Sequence, residues 1–303
     1  MKWIAAVLGL MVGSLPAVAQ MDPEQETKAA FEAARKVMQS GPTDIKLTDQ
    51  ATLHLPKGFV FVPQSEAQRV LRSMGNSPSE DLLGMIFPQE GDSSWFMTAR
   101  FIKSGYIKDD DAKEWNADDL LKNLREGTEA GNTERTKRGI PAIEVVGWVQ
   151  SPTYDAATHR LVWSASTRPK DTPQGGEQGV NYNTYLLGRE GYVSMNLVTE
   201  LKTVESEKPI ARQLLAAVEF GKGKAYGDFD ASTDHIAEYG LAALVGGVAL
   251  KKLGLFALVA AFFAKFAKII ILALIPIVAG IRKFFGREKK PVVQAPPGSP
   301  PGA

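Results

Sequence analysis

The stretch that most constrains this chain is the apolar block from Ile236 to Ile281, followed by the basic run Arg282 to Lys290. Its aliphatic and phenylalanine density is what a bilayer core selects, so it reads as a membrane anchor, and the basic run places its carboxyl end in the cytoplasm. Lys251, Lys252, Lys265 and Lys268 interrupt the block where a simple span tolerates no charge. One span within 253–281 would rise about 43 Å as a helix against an apolar core of about 30 Å, and so cross with tilt. At about 100° per residue, Lys251, Lys265 and Lys268 share one helical face. Such a face suits either anionic lipid headgroups or the packing of several spans, including spans of a homo-oligomer. Lys251, Lys252, Lys265, Lys268, Arg282 and Lys283 are therefore the expected membrane-interface residues, and Ala242-x-x-x-Gly246 leaves a two-helix hairpin open.

The opposite end supports export. Lys2 precedes an apolar run, and Ala17-Val18-Ala19 has the small residues of a signal-peptidase site, so the mature chain is expected to begin at Gln20. The expected plan is a signal peptide over 1–19, a periplasmic α+β domain over 20–235, an anchor region over 236–285, and a basic then proline-rich tail over 286–303. The chain has no cysteine, which removes disulfides, zinc-thiolate sites and thiol catalysis. Residues 20–235 carry 25 Lys and Arg against 32 Asp and Glu, while 236–303 carry 9 against 2. An acidic domain argues against nucleic acid as a partner, because phosphate binding needs a basic face.

Within the domain, apolar residues recur at helical spacing in Ala30/Ala34/Val37/Met38, Ala67/Val70/Leu71/Met74, Ala117/Leu120/Leu121/Leu124 and Ala211/Leu214/Leu215/Val218. Alternating segments predict strands near 45–47, 52–55, 59–62, 82–87, 95–101, 142–149, 159–167, 180–187 and 191–199, with a last one at 224–229. Residues 126–139 are polar without a stripe, either a solvated extension or a loop. Ser232, Thr233 and Asp234 offer an N-cap for the anchor helix. The order of elements predicts an α+β fold of antiparallel sheets with packed helices, followed by a C-terminal transmembrane helix region. Gly-aromatic-aliphatic triplets at Gly58, Gly105, Gly147 and Gly191 raise the idea of repeated β-β-α units, although ordinary strand-start chemistry accounts for them better.

Val180-Asn181-Tyr182-Asn183, the turn Leu187-Gly188-Arg189-Glu190-Gly191-Tyr192 and the stretch Tyr239 to Gly247 together resemble a bacterial family of membrane-anchored proteins carrying a domain of unknown function. The resemblance covers nearly the whole chain after the leader. It implies the anchored envelope architecture and brings no catalytic residues.

No enzyme signature is present. His54, His159 and His235 have no metal-ligand spacing, and no Gly-x-Ser-x-Gly elbow or phosphate-binding glycine loop occurs. Asp109 to Asp111 lacks the ligand pattern of a calcium loop and reads as a solvated run ahead of a helix. No metal or cofactor is expected. The most suggestive surface is an amide-lined groove, with Asn181, Asn183 and Tyr185 on one strand face, Asn196 with Ser194 on the hairpin partner, and Trp163 nearby, fit to hold a peptide or glycan. The leading expectation is a non-enzymatic envelope module that binds a protein or glycan. Two alternatives stay open: a hydrolase acting on peptide or peptidoglycan through His159 and the Asp109 to Asp111 run, and a lipid-interacting or stress protein acting through its lysine-striped anchor. Intact-mass analysis of the purified chain is expected to give an amino terminus at Gln20; a chain retaining Met1 would remove the export inference.

Overall fold

The computed structural model describes residues 23–89, 95–137, 139–173 and 176–246. In chain order the elements are α1 (Pro23–Val37), β1 (Gln39–Ser40), β2 (Thr43–Leu47), β3 (Ala51–Leu55), β4 (Phe59–Pro63), α2 (Gln64–Ser73), β5 (Leu82–Pro88) and β6 (Phe96–Ile102). There follow α3 (Ala117–Lys137), β7 (Ile143–Asp155), β8 (Arg160–Pro169), β9 (Gly179–Leu187), β10 (Tyr192–Glu200), α4 (Val204–Ala216), β11 (Val218–Phe220) and α5 (Ala243–Gly246).

Eight strands form one sheet of order β1-β4-β5-β6-β10-β9-β8-β7, antiparallel throughout, and β11-β3-β2 form a second antiparallel sheet. Alternation along the strands decides what each face meets. Met97, Ala99 and Phe101 of β6, Val193, Met195 and Leu197 of β10, and Val180 and Tyr182 of β9 turn to one face. There they bury against the small sheet, through Ile45, Leu47, Leu53 and Leu55, and against Ala211, Leu214 and Leu215 of α4.

The other face of the large sheet is covered in two separate places. Ala30 and Ala34 of α1, with Ala67, Val70 and Leu71 of α2, bury Val62, Leu82 and Met85 at the β4–β5 end. At the far end Leu120 of α3 and Leu241, Leu244 and Val245 bury Leu161, Trp163, Ala165, Tyr185 and Leu187. The helical stripes are those the spacing predicts, except at their ends: Val37, Met38 and Met74 are exposed, and Val218 is buried as a strand residue because α4 stops at Ala216.

The stretch 126–137 is a helical extension of α3 whose polar side chains cover the outer edge of β7, the last strand of the sheet. Asn132 Nδ2 donates to Ile143 O (2.8 Å) and its Oδ1 accepts from Ile143 N (2.9 Å). Arg125 donates to the carbonyls of Val145 (3.1 Å) and Val146 (2.5 Å). An uncovered edge is a template for another strand, so these contacts close the sheet on that side.

The α+β reading with antiparallel sheets and packed helices holds, and three parts of it are corrected. First, the β-β-α units are not repeats: β2 and β3 leave for a second sheet while β7 to β10 run as a four-stranded meander. The four glycines also serve different ends, since Gly58 and Gly105 adopt left-handed backbone (φ +92° and +85°) whereas Gly147 sits within β7 at a register shift. Second, 224–229 is no strand but a single 3₁₀ turn, Tyr226–Asp228, closed by Ala225 N donating to Asp228 Oδ2 (3.0 Å).

Third, the fold class does not include the expected transmembrane helix region: no helix among the described residues is long and apolar enough to cross a membrane. The span within 253–281, with Lys251, Lys252, Lys265, Lys268, Arg282 and Lys283, lies outside the described residues, as do the leader and tail. Residues 236–246, expected to begin the anchor, pack into the domain. Ile236 bridges Tyr106 in parallel, with Tyr106 N donating to His235 O and Ala237 N to Tyr106 O, both at 2.8 Å. Gly105 allows that approach, because a Cβ there would lie 2.6 Å from His235 O. Asp111 Oδ1 accepts from Leu241 N and Oδ2 from Ala242 N, both at 3.1 Å, so the turn leading into α5 is capped from a distant loop. Trp163 Nε1 donates to Leu244 O (3.2 Å). Asp234, one of the three cap candidates, instead grips both Nε and Nη2 of Arg189, at 2.7 and 2.8 Å. Apolar transfer energy is the same whether a leucine leaves water for lipid or for a protein core, which is why composition misassigned this segment. Leu241→Ala is expected to lower the unfolding free energy by about 2–5 kcal/mol, as buried leucine truncations do. Denaturant titration of the full chain checks this, and an unchanged midpoint would place the segment outside the cooperative core.

Candidate functional site

Between its two helical covers, the second face of the large sheet changes from apolar to polar and back. The register places Val62, Met85, Thr98, Asn196, Asn183 and Trp163 side by side across six strands. Arg100, Ser194, Tyr185 and Leu161 form the next row, and Phe96, Val198, Asn181 and Ala165 the row on the other side. The ends of these rows lie under α1 and α2 or under α3 and residues 241–246. Their middle is a polar band of Thr98, Arg100, Ser194, Asn196, Asn181 and Asn183. Arg100, Ser194, Asn196 and Asn181 are half-buried, and Thr98 and Asn183 are buried.

The structure thus brings together the three asparagines singled out in the sequence. Asn196 Nδ2 donates to Asn181 Oδ1 (3.1 Å) and Asn183 Nδ2 to Asn181 O (3.1 Å), so the amides are held in a short chain. Tyr185 and Trp163 stand beside them but are committed elsewhere. Tyr185 is buried, edge-on to Tyr192 (ring centroids 5.7 Å apart), and burial pushes its hydroxyl well above the ordinary phenol range. The Trp163 indole N–H is taken by Leu244 O. They are a wall of the band and not free contacts.

Sequence reasoning missed Thr98 and Arg100. The signal was available, since both alternate with Met97, Ala99 and Phe101 in a strand whose apolar residues all turn the other way. Five buried side-chain polar atoms among the described residues lack a hydrogen-bond partner in the protein, and two of them, Arg100 Nε and Asn196 Oδ1, lie in this band. Buried polar atoms are nearly always partnered, so these two stand out in the band, each closed to solvent beneath a half-buried side chain.

The other candidate residues have structural tasks. Asp109 and Asp111 are not a solvated run: Asp109 Oδ2 accepts from Tyr154 OH (2.7 Å), Asp111 caps 241–242, and Asp110 alone is exposed. His159 Nδ1 also meets Tyr154 OH (3.2 Å), and its ring joins a stack running through Tyr226, Tyr106 and Phe229 with centroid spacings of 4.1, 4.4 and 3.9 Å. Burial, then Asp109, push the Tyr154 hydroxyl far above the phenol range, which makes it a poor acid or nucleophile near neutral pH. Around a hollow of about 600 Å³ the charges are mutually paired: Arg189 with Asp234, Lys224 with Glu190 (2.5 Å) and Lys103 with Glu190 (3.9 Å). The Arg189 hydrogen bonds, then the Asp230 N–H, hold the Asp234 carboxyl down at about 2. Among the described residues no three His, Asp or Glu side chains cluster as metal ligands.

Antiparallel strands roofed in two places, with an amide-lined gap between the roofs, define an α+β domain whose open chemistry is hydrogen bonding. The chain belongs to the family described as protein of unknown function, DUF2167, whose model matches residues 39–275. No curated protein matches it. Among solved structures it is similar to PsbP (CyanoP) of the cyanobacterium Synechocystis sp. PCC 6803, at 9% identity over 61% of this chain and 91% of that one, TM-score 0.34. It is also similar to the Ran-binding protein Mog1p of Saccharomyces cerevisiae, at 10% identity over 60% of this chain and 96% of that one, TM-score 0.30. At these scores neither likeness bears on function.

On the outer face of the small sheet, His54 is directly opposite Asp44, with Nδ1 2.7 Å from Asp44 Oδ1 and Nε2 3.3 Å from Glu219 Oε2. The Asp44 hydrogen bond, then that of Glu219, raise the imidazole above its ordinary 6.5. Because the folded value lies above the unfolded one, the stabilisation is fully present below about pH 6.5 and is lost as pH rises through the folded value. An NMR titration is expected to place His54 above 6.5 and to show a downward shift in Asp44→Asn; a value at or below 6.5 in the parent chain would contradict the pairing.

Proposed function

We propose that this chain is a non-enzymatic binding module of a bacterial cell envelope, and that the polar band of β6, β10 and β9 holds an extended polymer, a peptide or a glycan. The observation that carries the reading is a half-buried row of amides and one guanidinium between two helical covers, with Arg100 Nε and Asn196 Oδ1 unpartnered. Those two atoms are themselves closed to solvent, so a ligand would engage the half-buried Arg100, Asn181 and Asn196 side chains through their remaining polar atoms. Amide side chains offer donor and acceptor together and suit polymers of repeating amide and hydroxyl groups.

The envelope placement is supported by the leader pattern over 1–19. Lys251, Lys252, Lys265, Lys268, Arg282 and Lys283 supply charge that anionic lipid headgroups attract, which supports a membrane surface as a second partner. The hydrolase alternative has less support, because Asp111 is occupied as a cap and the Tyr154 hydroxyl, bound to Asp109, is held in its neutral form.

Amide chemical-shift mapping of the full chain in detergent micelles, titrated separately with soluble peptidoglycan fragments and with unstructured peptides, tests the reading. Perturbations centred on Asn181, Asn183, Ser194 and Asn196 are expected from at least one of these, and Asn183→Leu with Asn196→Leu is expected to weaken binding about tenfold or more. Binding that maps only to other surfaces, or that the double variant leaves unchanged, would sink the proposal.

A further inference from the structure

Resting on the proposed role of the polar band, we infer that Arg100 reads a carboxylate and that the ligand of the band is an extended peptide carrying one. The argument begins with charge. Arg100 stands at the centre of the sheet, in register with Leu82 on one side and Ser194 on the other, and its charge is felt by the buried hydroxyl of Tyr185. Its Nε is shut off from solvent, yet the guanidinium makes no hydrogen bond or ion pair with any described residue. Removing a cation from water is costly unless an anion or a set of acceptors replaces the water.

Carboxylates are not scarce in this domain, which holds 32 Asp and Glu between residues 20 and 235. The nearby ones do not reach Arg100, and Asp81 is exposed. Asp81 offers its main-chain carbonyl to Phe101 N (3.1 Å) and forms no bridge to Arg100, and Glu200, at the end of β10, pairs with Lys202 (2.5 Å). Arg168 of β8 is tied to Glu144 (2.6 Å) and Arg125 of α3 to the edge carbonyls of β7, while Arg160, at the start of β8 and away from the amides, shares with Arg100 a buried Nε that has no partner among the described residues. Arg100 is thus a half-buried, planar and permanently charged group whose two terminal nitrogens, and not the solvent-closed Nε, are left to meet the two oxygens of a carboxylate. It is the single charge among the polar rows, which suits a monoanion better than a phosphate dianion.

The rest of the ligand is read from the amides. Asn196 stands diagonally across from Arg100, and Asn181 and Asn183 repeat along the same strand face with the two-residue period of an extended chain. The fold contains its own example of this pairing. Asn132 takes both the N–H and the C=O of Ile143, so an asparagine here binds a main-chain amide at 2.8 and 2.9 Å. A peptide lying along the band would place its N–H groups on such amides and its carboxylate on Arg100.

The test uses the full chain in detergent micelles and three probes: N-acetyl-trialanine with a free C-terminal carboxylate, the same peptide as its C-terminal amide, and N-acetyl-Ala-Asp-Ala amide. The first and third distinguish a terminal from a side-chain carboxylate. The readouts are the Arg100 Nε–Hε resonance and the side-chain amide resonances of Asn181, Asn183 and Asn196. At least one carboxylate peptide is expected to bind about tenfold or more tightly than the amide, as charge-assisted pairs do, and to move the Arg100 resonance. Arg100→Lys, which keeps the charge, is expected to retain part of that preference, and Arg100→Gln to reduce the ratio to about one. Equal binding of all three probes by the parent chain, with the asparagines perturbed, would overturn the role of Arg100 and leave the binding band standing. No perturbation of the asparagines by any peptide would overturn the peptide assignment, and a stronger response there to an uncharged chitotetraose would replace it with a glycan.

Discussion

The antiparallel pairing of β6 with β10 is the contact on which this architecture depends. Strands β1, β4 and β5 belong to one side of it and β9, β8 and β7 to the other, so without it the large sheet falls into two smaller ones. Its register, from Ile102 opposite Tyr192 to Phe96 opposite Val198, puts Met97, Ala99, Phe101, Val193, Met195 and Leu197 on one face together. A slip of one residue would turn that apolar set outward and bring Thr98, Arg100, Ser194 and Asn196 into the main core. Burial of one face therefore fixes the composition of the other. The polar band is the necessary counterpart of the core, seated where the two helical covers of the second face leave it half-exposed.

The far end of that face is finished by chain that comes from the end of the domain. Tyr106, Asp111 and Trp163 each bond the main chain of residues 235–246, and these contacts satisfy groups that would otherwise be buried without partners. Trp163 faces both the 241–246 segment and, in register, Asn183 of the band. The wall of the candidate site and the turn at 241–246 are consequently one packing unit. The Arg189–Asp234 pair and the Lys224–Glu190 pair fasten the loops that deliver this segment to its place.

Parts of the site were legible before folding was considered. Asn181, Asn183 and Asn196 alternate with residues whose apolar character marks the buried face, and period-two alternation is a local property. Thr98 and Arg100 obey the same rule, but nothing in the chain order says that β6 lies beside β10, ninety-odd residues later, so they could not be joined to the asparagines. Trp163 and Tyr185 were legible as neighbours and not as wall residues, because their partners, Leu244 and Tyr192, come from other segments. The acidic run Asp109 to Asp111 failed for the same reason: its donors are the Tyr154 hydroxyl and the Leu241 and Ala242 N–H groups.

What the sequence by itself determined is the set of local preferences: four amphipathic helices, alternating strands in an antiparallel α+β order, and the absence of thiol chemistry and of familiar catalytic spacings. Those follow from periodicity and composition, which need no partner to be read. The tertiary structure decided where the apolar segment after Ile236 begins to belong to the domain, which carboxylates are bound and which are free, and that one arginine stands unpaired among amides. These are outcomes of long-range contact. The free energy of burying a leucine or pairing a carboxylate is set by what surrounds it, and the surroundings are assembled only when distant strands meet.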